Sequence, residues 1–205
     1  AFPVGSTAQQ LARSTCMDLL TQSGFPEIRT ARFLMRRIVQ ADINLVFAGL
    51  SDPLVIAHYG VSYDTLEATQ VQIDWFNQIY VSGTGIWWGV CDPLDPFKLI
   101  GAVGLNDMCR THERAEIGYW LLPAHWGCGV ASECVASMLA FAFGTLGLYR
   151  IGAEVDLDNS NSSRLLERLG FHFEGVRRGY ELKCGARLDL KCYSRLSRDP
   201  VTHEG

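Results

Sequence analysis

One stretch constrains the fold of this chain more than any other: Ala115–Ser132, AEIGYWLLPAHWGCGVAS. Ala115–Leu122 is built from aliphatic and aromatic residues, Pro123 removes a ladder donor, and from Val130 an apolar run continues without another glycine until Gly144. That succession predicts a strand, a break, a glycine-rich turn and a long helix. Gly127 and Gly129 then fall at the helix N-terminus, where unpaired amides and the positive end of the helix dipole point to one place. Without Cβ atoms at 127 and 129 a ligand can approach the backbone closely, so the turn reads as a phosphate or pyrophosphate cradle.

Around this unit the chain has room for one well-buried core. It has 205 residues, of which 48% are hydrophobic and 20% charged, proportions of an ordinary globular chain. One domain over 28–205 is expected, preceded by an accessory segment over 1–27. The formal charge of −4 argues against a nucleic-acid surface, which calls for a basic stripe, and suits cationic amine substrates. Seven cysteines, scattered and without a CxxC pair, argue against a disulfide framework or a zinc ribbon and for a reducing cytoplasm. Cys109 and His112 have half the spacing of a metal site without a second pair, and read as strand-end residues; no metal is expected. No stretch reaches the roughly 18 apolar residues of a membrane span, and the start lacks a basic segment followed by an apolar one. A soluble, untargeted chain is the expectation, monomeric or homodimeric.

In chain order, Ser6 or Thr7 can cap a short amphipathic helix with Leu11, Ala12, Cys16, Leu19 and Leu20 on one face. Arg32–Ile38 reads as the first strand, with Asp42 capping the next helix and a second helical stretch after Asp52-Pro53. Asp64–Val81 reads as a helix whose apolar face is Leu66, Val71, Trp75, Ile79 and Tyr80. Ile86–Cys91 and Leu99–Asn106 are strands joined by a turn-rich loop over 92–96, and with Ala115–Leu122 they predict an antiparallel meander. Val130–Leu146 is apolar nearly all round and must be buried against the sheet, with Gly147 closing it. Ile151–Val155 follows as a parallel strand, then a helix from Asp158-Asn159-Ser160 to Gly170, then a hairpin of Phe171–Leu182 and Arg187–Leu196.

Trp126-Gly127-Cys128-Gly129-Val130-Ala131 resembles the acetyl-CoA pyrophosphate loop of the GNAT N-acetyltransferases, whose pattern is Gln/Arg-x-x-Gly-x-Gly/Ala. Gly129 and Ala131 match, while Trp126 stands where Gln or Arg is expected. Trp126 through Glu133 follow the ribosomal-protein N-acetyltransferase branch of that superfamily, with Cys128 in place of its usual Lys, Arg or Gln. A second passage, Asn159 and Ser162 followed by Leu169-Gly170-Phe171 and Glu174-Gly175, resembles the same branch's Asn-x-x-Ser and Lys-Leu-Gly-Phe-x-x-Glu-Gly signature. Gly185, Asp189 and Tyr193 continue in the spacing of its closing hairpin. The resemblance runs from about Arg32 to Leu196.

The resemblance implies a mixed α/β fold: a twisted, mostly antiparallel sheet opened at a parallel strand pair, with helices on both faces. It implies an acetyl-CoA-dependent N-acetyltransferase acting on a primary amine by direct transfer. A protein or peptide N-terminus is the favoured acceptor, and a polyamine or aminoglycoside-like amine comes next. The implied cofactor contacts are Tyr119, Trp120, Leu121 and Leu122 on the strand, Trp126, Gly127, Cys128, Gly129, Val130, Ala131 and Ser132 on the turn, and Asn159 and Ser162 on the facing helix. For the base that takes the amine's proton, Glu181 falls at the branch's hairpin glutamate and Glu116 is the reserve. Many relatives carry a tyrosine as proton donor to the thiolate, but Leu166 stands at that position and Ser162 is the hydroxyl one turn earlier. Two other readings stay open: a non-catalytic acyl-CoA sensor, and a dinucleotide-binding unit built on Gly127-x-Gly129-x-x-Ser132 with Asp156 or Asp158 downstream.

Overall fold

A computed structural model describes residues 24–183 and 185–200. The expected accessory helix over 6–20 lies outside the described residues, as do Cys184 in the hairpin turn and the tail from 201. Eight strands are present among the described residues: β1 (Ile28–Arg29), β2 (Leu34–Arg37), β3 (Ile86–Asp92), β4 (Asp95–Cys109), β5 (Arg114–Leu121), β6 (Arg150–Asp156), β7 (His172–Lys183) and β8 (Ala186–Leu196). They form one sheet in the order β1-β2-β3-β4-β5-β6-β8-β7. β5 and β6 are parallel, and every other neighbouring pair is antiparallel. The helices are α1 (Ile43–Leu50), α2 (Pro53–Ile56), α3 (Gln70–Ser82), α4 (Val130–Gly144) and α5 (Ser160–Arg168). None of the described helices is long and apolar enough to cross a membrane.

The sheet is covered on both faces, which is why β3 (IWWGVC) is apolar throughout instead of alternating. Along β5 the side chains divide by parity. Ala115, Ile117, Tyr119 and Leu121 join the core under α4 and α5, with Val135, Met138, Leu139, Ile151 and Leu166. Trp120 joins the core under α1, α2 and α3, with Val46, Leu50, Val55, Ile73, Phe76 and Trp87. The Trp87 ring lies over Gly104 and Gly118, cross-strand partners in β4 and β5, and a Cβ on either glycine would collide with it. α4 buries Val130, Cys134, Val135, Met138, Leu139 and Ala142, as its apolar run requires.

Several boundaries and faces differ from those expected. The helix expected over 64–81 begins at Gln70, because 65–69 fold into tighter turns in which the Thr69 amide reaches the carbonyls of Thr65 and Leu66. Its buried face is Gln72, Ile73, Phe76 and Ile79, whereas Val71 is 64% exposed. A helix shows one stripe at i, i+3, i+4 and i+7 spacing, and tertiary contact selected the one containing Phe76. Asp42 occupies the start of α1, but its carboxylate caps no helix amide. It takes two 2.8 Å bonds from the Arg36 guanidinium and a third from the Val39 amide, a stronger set of donors in a buried place. The loop over 92–96 contracts to a two-residue turn, so β4 starts at Asp95. β5 stops at Leu121, and the Leu122 amide bonds the Ile100 carbonyl at 2.9 Å just beyond it.

The dinucleotide-binding alternative is overturned by this topology. That fold needs successive parallel strands, and here β6 has β8 running antiparallel on its other side.

Candidate active site

Strands β5 and β6 are joined only at Arg114↔Arg150, Ala115↔Ile151 and Glu116↔Gly152. From there β5 continues to Leu121 along β4, and β6 continues to Asp156 along β8, with no ladder between them. A seam therefore opens in the middle of the sheet. Its two sides carry backbone groups able to pair with an extended ligand, which sheet edges do wherever they are left open.

On one face the seam leads to the start of α4. Leu122 leads into a 3-10 turn at Pro123–His125, and the Trp126 indole donates to the Leu121 carbonyl at 2.8 Å, fixing the loop against the strand end. Gly127 and Gly129 follow with φ of +72° and +75°, the left-handed conformation that L side chains rarely adopt. Gly129 is the N-cap of α4, and having no side chain it leaves the amides of the first helical turn, Val130 to Ser132, without a capping acceptor. A Cβ at 127 would meet nothing within 4 Å, whereas one at 129 would stand 3.2 Å from Arg32 Nη2. Cys128 is exposed, its thiol 3.4 Å from the Trp126 carbonyl.

The facing wall is the start of α5. Asn159 Oδ1 accepts the Ser162 amide at 3.0 Å, which makes Asn159 the N-cap and leaves its carboxamide nitrogen out of the cap. The Ser162 hydroxyl lies 2.6 Å from the Tyr119 hydroxyl of β5. Burial pushes the Tyr119 phenol up to about 12, against a smaller opposing pull from the Ser162 bond. Leu166, one turn further along α5, is fully buried in the core. Of the other strand residues expected at the cofactor, Trp120 turns its side chain into the core on the opposite face and Leu121 into the nearer core.

On the other face of the sheet, Asn106, Asp107, Arg114, Glu116, Ile117, Glu154, Arg177 and Tyr180 line a cavity of about 500 Å³. Glu116 sits at the last paired position before the seam opens, and its carboxylate extends over Gly152, where a Cβ would collide with it. Burial raises the Glu116 pKa, the neighbouring Glu154 raises it further, and Arg150, Arg177 and Arg114 oppose the rise. Arg177 is paired with Glu154 and lies over the Tyr180 ring at 4.8 Å. Glu181 belongs to the same face but not to the cavity wall. Its Oε1 is 3.1 Å from where a Cβ of Gly60 would stand, under a loop tied down by Lys183 Nζ on the Ala57 carbonyl at 2.8 Å. His58 Nδ1, 3.4 Å from Asp156, holds the same loop from the seam side.

Two features escaped the sequence. The Tyr119–Ser162 contact joins positions 43 apart, and the Arg32 side chain, 96 positions from Cys128, donates to the Cys128 carbonyl at 3.1 Å. Among the described residues no group of three or more His, Cys, Asp or Glu side chains could hold a metal, and Cys109 simply ends β4.

Comparison with known proteins gives the family and agrees with the fold. The family model for the Acetyltransferase (GNAT) domain matches residues 32–172. The chain is 39% identical over 171 residues to the uncharacterized N-acetyltransferase YoaA of Bacillus subtilis, covering 83% of this chain and 96% of the relative. It is 32% identical over 146 residues to the putative ribosomal N-acetyltransferase YdaF of the same organism, covering 71% and 77% of the two chains. Among solved structures, spermidine N-acetyltransferase from Vibrio cholerae in complex with CoA and spermine superposes with a TM-score of 0.73 at 21% identity, covering 82% of this chain and 98% of that one. At that identity the likeness speaks for the fold.

Proposed function

The chain belongs to the GNAT acetyltransferases, in the branch of the ribosomal-protein N-acetyltransferases, and is an acyltransferase using acetyl-CoA; from that premise we propose that it acetylates the N-terminal amine of a protein or peptide by direct transfer across the β5–β6 seam. Acetyl-CoA supplies the activated acyl group. The amides of Val130, Ala131 and Ser132 and the bare backbone of the turn, open at Gly127, hold its pyrophosphate. The free edge of β5 from Ile117 to Leu121 pairs with the amides of the pantetheine arm, and the Asn159 carboxamide donates from the opposite wall.

The acceptor amine enters from the cavity on the other face. Glu116, half-buried and raised in pKa at the point where the strands part, takes the amine's proton there. Glu181 faces the same side under the 57–60 loop and is the second candidate for that role. Ser162, backed by Tyr119, hydrogen-bonds the thiolate as it leaves. The cavity carries both signs of charge, Arg114 and Arg177 beside Asp107, Glu116 and Glu154, which suits a peptide with mixed charges of its own. The name of the YdaF relative points the same way.

The observation that carries this reading is the opened seam, with a glycine-capped helix on one face and a half-buried carboxylate at its mouth on the other. CoA release should be measured from acetyl-CoA with a panel of N-terminal peptides, polyamines and aminoglycosides. Turnover is expected with peptides foremost. Turnover with polyamines alone would overturn the acceptor, and tight CoA binding without turnover on any amine would return the chain to an acyl-CoA sensor.

A further inference from the structure

We propose that Arg32 is a pyrophosphate ligand of this cradle, supplying from outside the glycine turn the side-chain donor fork that the turn itself lacks. The inference rests on the reading of the turn as the acetyl-CoA site. The stretch from Pro123 to Ser132 contains no lysine or arginine, and Cys128 stands at its centre. An anion bound there by amides alone would also face Glu133, a carboxylate in the first turn of α4.

Arg32 resolves both problems at once. Its Nε donates to Glu133 Oε2 at 2.6 Å, its backbone amide to Glu133 Oε1 at 2.9 Å, and the Thr30 hydroxyl to the same oxygen at 2.6 Å. Glu133 is thereby neutralised and satisfied. Partial burial alone would raise its pKa, and the bonds from Thr30 and Arg32 outweigh that and lower it. One Nη1 proton goes to the Cys128 carbonyl at 3.1 Å, which ties the guanidinium to the turn. Nη2 stands 3.2 Å from where a Cβ of Gly129 would be, directly over the residue whose bare backbone opens the cradle. A guanidinium has five N–H donors in a rigid fork. Two are spent on Glu133 and Cys128, and the remaining three, both on Nη2 and one on Nη1, have no acceptor among these contacts. The side chain is half exposed on the side of the turn, so a phosphate reaching the Val130–Ser132 amides comes within range of a fork already oriented by Glu133.

Isothermal calorimetry with CoA and with S-acetylpantetheine, which has the arm but no pyrophosphate, separates a ligand from a structural strut. Arg32→Gln is expected to weaken CoA by about 10- to 100-fold, the range of a charge-assisted contact, and to leave S-acetylpantetheine within about twofold of wild type. Arg32→Lys, which keeps the charge but not the fork, should fall between. Equal losses for both ligands, or no loss for CoA, would overturn the proposal. Restored CoA affinity in the double variant Arg32→Gln, Glu133→Gln would also overturn it, since Arg32 would then do no more than neutralise Glu133. Gly129→Glu is the control for the cradle. If it abolishes CoA binding while Arg32→Gln does not, Arg32 alone is refuted; if it leaves CoA binding intact, the cradle reading fails as well.

Discussion

Tyr119 and Ser162 meet hydroxyl to hydroxyl at 2.6 Å, the first from the β5 side of the seam and the second from the first turn of α5. The two sides of the site are thus joined by one hydrogen bond at the level where the strands separate. A serine alone is a poor acid; either hydroxyl of this pair can donate, and when the phenol does, the serine proton is left for a leaving thiolate.

Ser162→Ala should therefore lower kcat at every pH, and Tyr119→Phe should lower it less, by about tenfold, the value of one oriented hydrogen bond near a charged group. Acetyl-CoA affinity should change little in either. Steady-state kinetics with a peptide acceptor checks this, and an unaltered kcat in Tyr119→Phe beside a large loss in Ser162→Ala would mean that the phenol only fills space.

The pH profile should carry the signature of Glu116. A base works deprotonated, and burial with Glu154 nearby moves Glu116 above the usual carboxylate range, so kcat/KM should rise with pH through that raised pKa. Glu116→Gln should remove this limb and cost about 100- to 10,000-fold, with CoA affinity retained. The same loss in Glu181→Gln with Glu116→Gln near wild type would reassign the base to Glu181.

Acid stability should depend on Glu174. Its carboxylate receives Arg150 through two bonds of 2.7 and 2.6 Å and the Ser194 hydroxyl at 2.7 Å, linking β6, β8 and β7. Those partners hold it at about 2, below the ordinary 4.5. A depressed carboxylate stabilises the fold above its unfolded pKa, and that contribution is lost as pH falls from 4.5 toward 2. Urea midpoints of wild type and Glu174→Gln should differ at neutral pH and converge as the pH falls through that window. Midpoints separated by the same amount at every pH would show that the charge is not responsible.

Thiol reactivity should single out Cys128. Burial pushes the Cys91 thiol to about 11 and the Cys134 thiol to about 12, whereas Cys128 is exposed on the glycine turn. Mass-spectrometric alkylation mapping of Cys91, Cys109, Cys128, Cys134 and Cys192 should find Cys128 labelled first and shielded by acetyl-CoA. Labelling at 128 that ignores the cofactor would move the pyrophosphate away from the turn.

The strand, glycine turn and long helix of 115–144 were legible in the sequence because each depends on neighbours in the chain. Left-handed glycines, an apolar stripe and a missing capping side chain are local properties, and the Asn159 cap and the tight β7–β8 hairpin belong with them. Local preference also went astray where tertiary contact had the deciding energy: the α3 face turned to Phe76, and Asp42 preferred the Arg36 fork to the helix start. What no local pattern could supply is the register across the sheet. The Glu116↔Gly152 pairing puts a carboxylate over a residue without a Cβ at the mouth of the seam. The same seam lets Tyr119 reach Ser162, and packing of the first strands against α4 carries Arg32 to Glu133 from 101 positions away. Sequence by itself determined the glycine turn before α4 and the family of reaction. The tertiary structure decided which side chains converge on it, because that depends on which strands become neighbours and where one pair of them stops pairing.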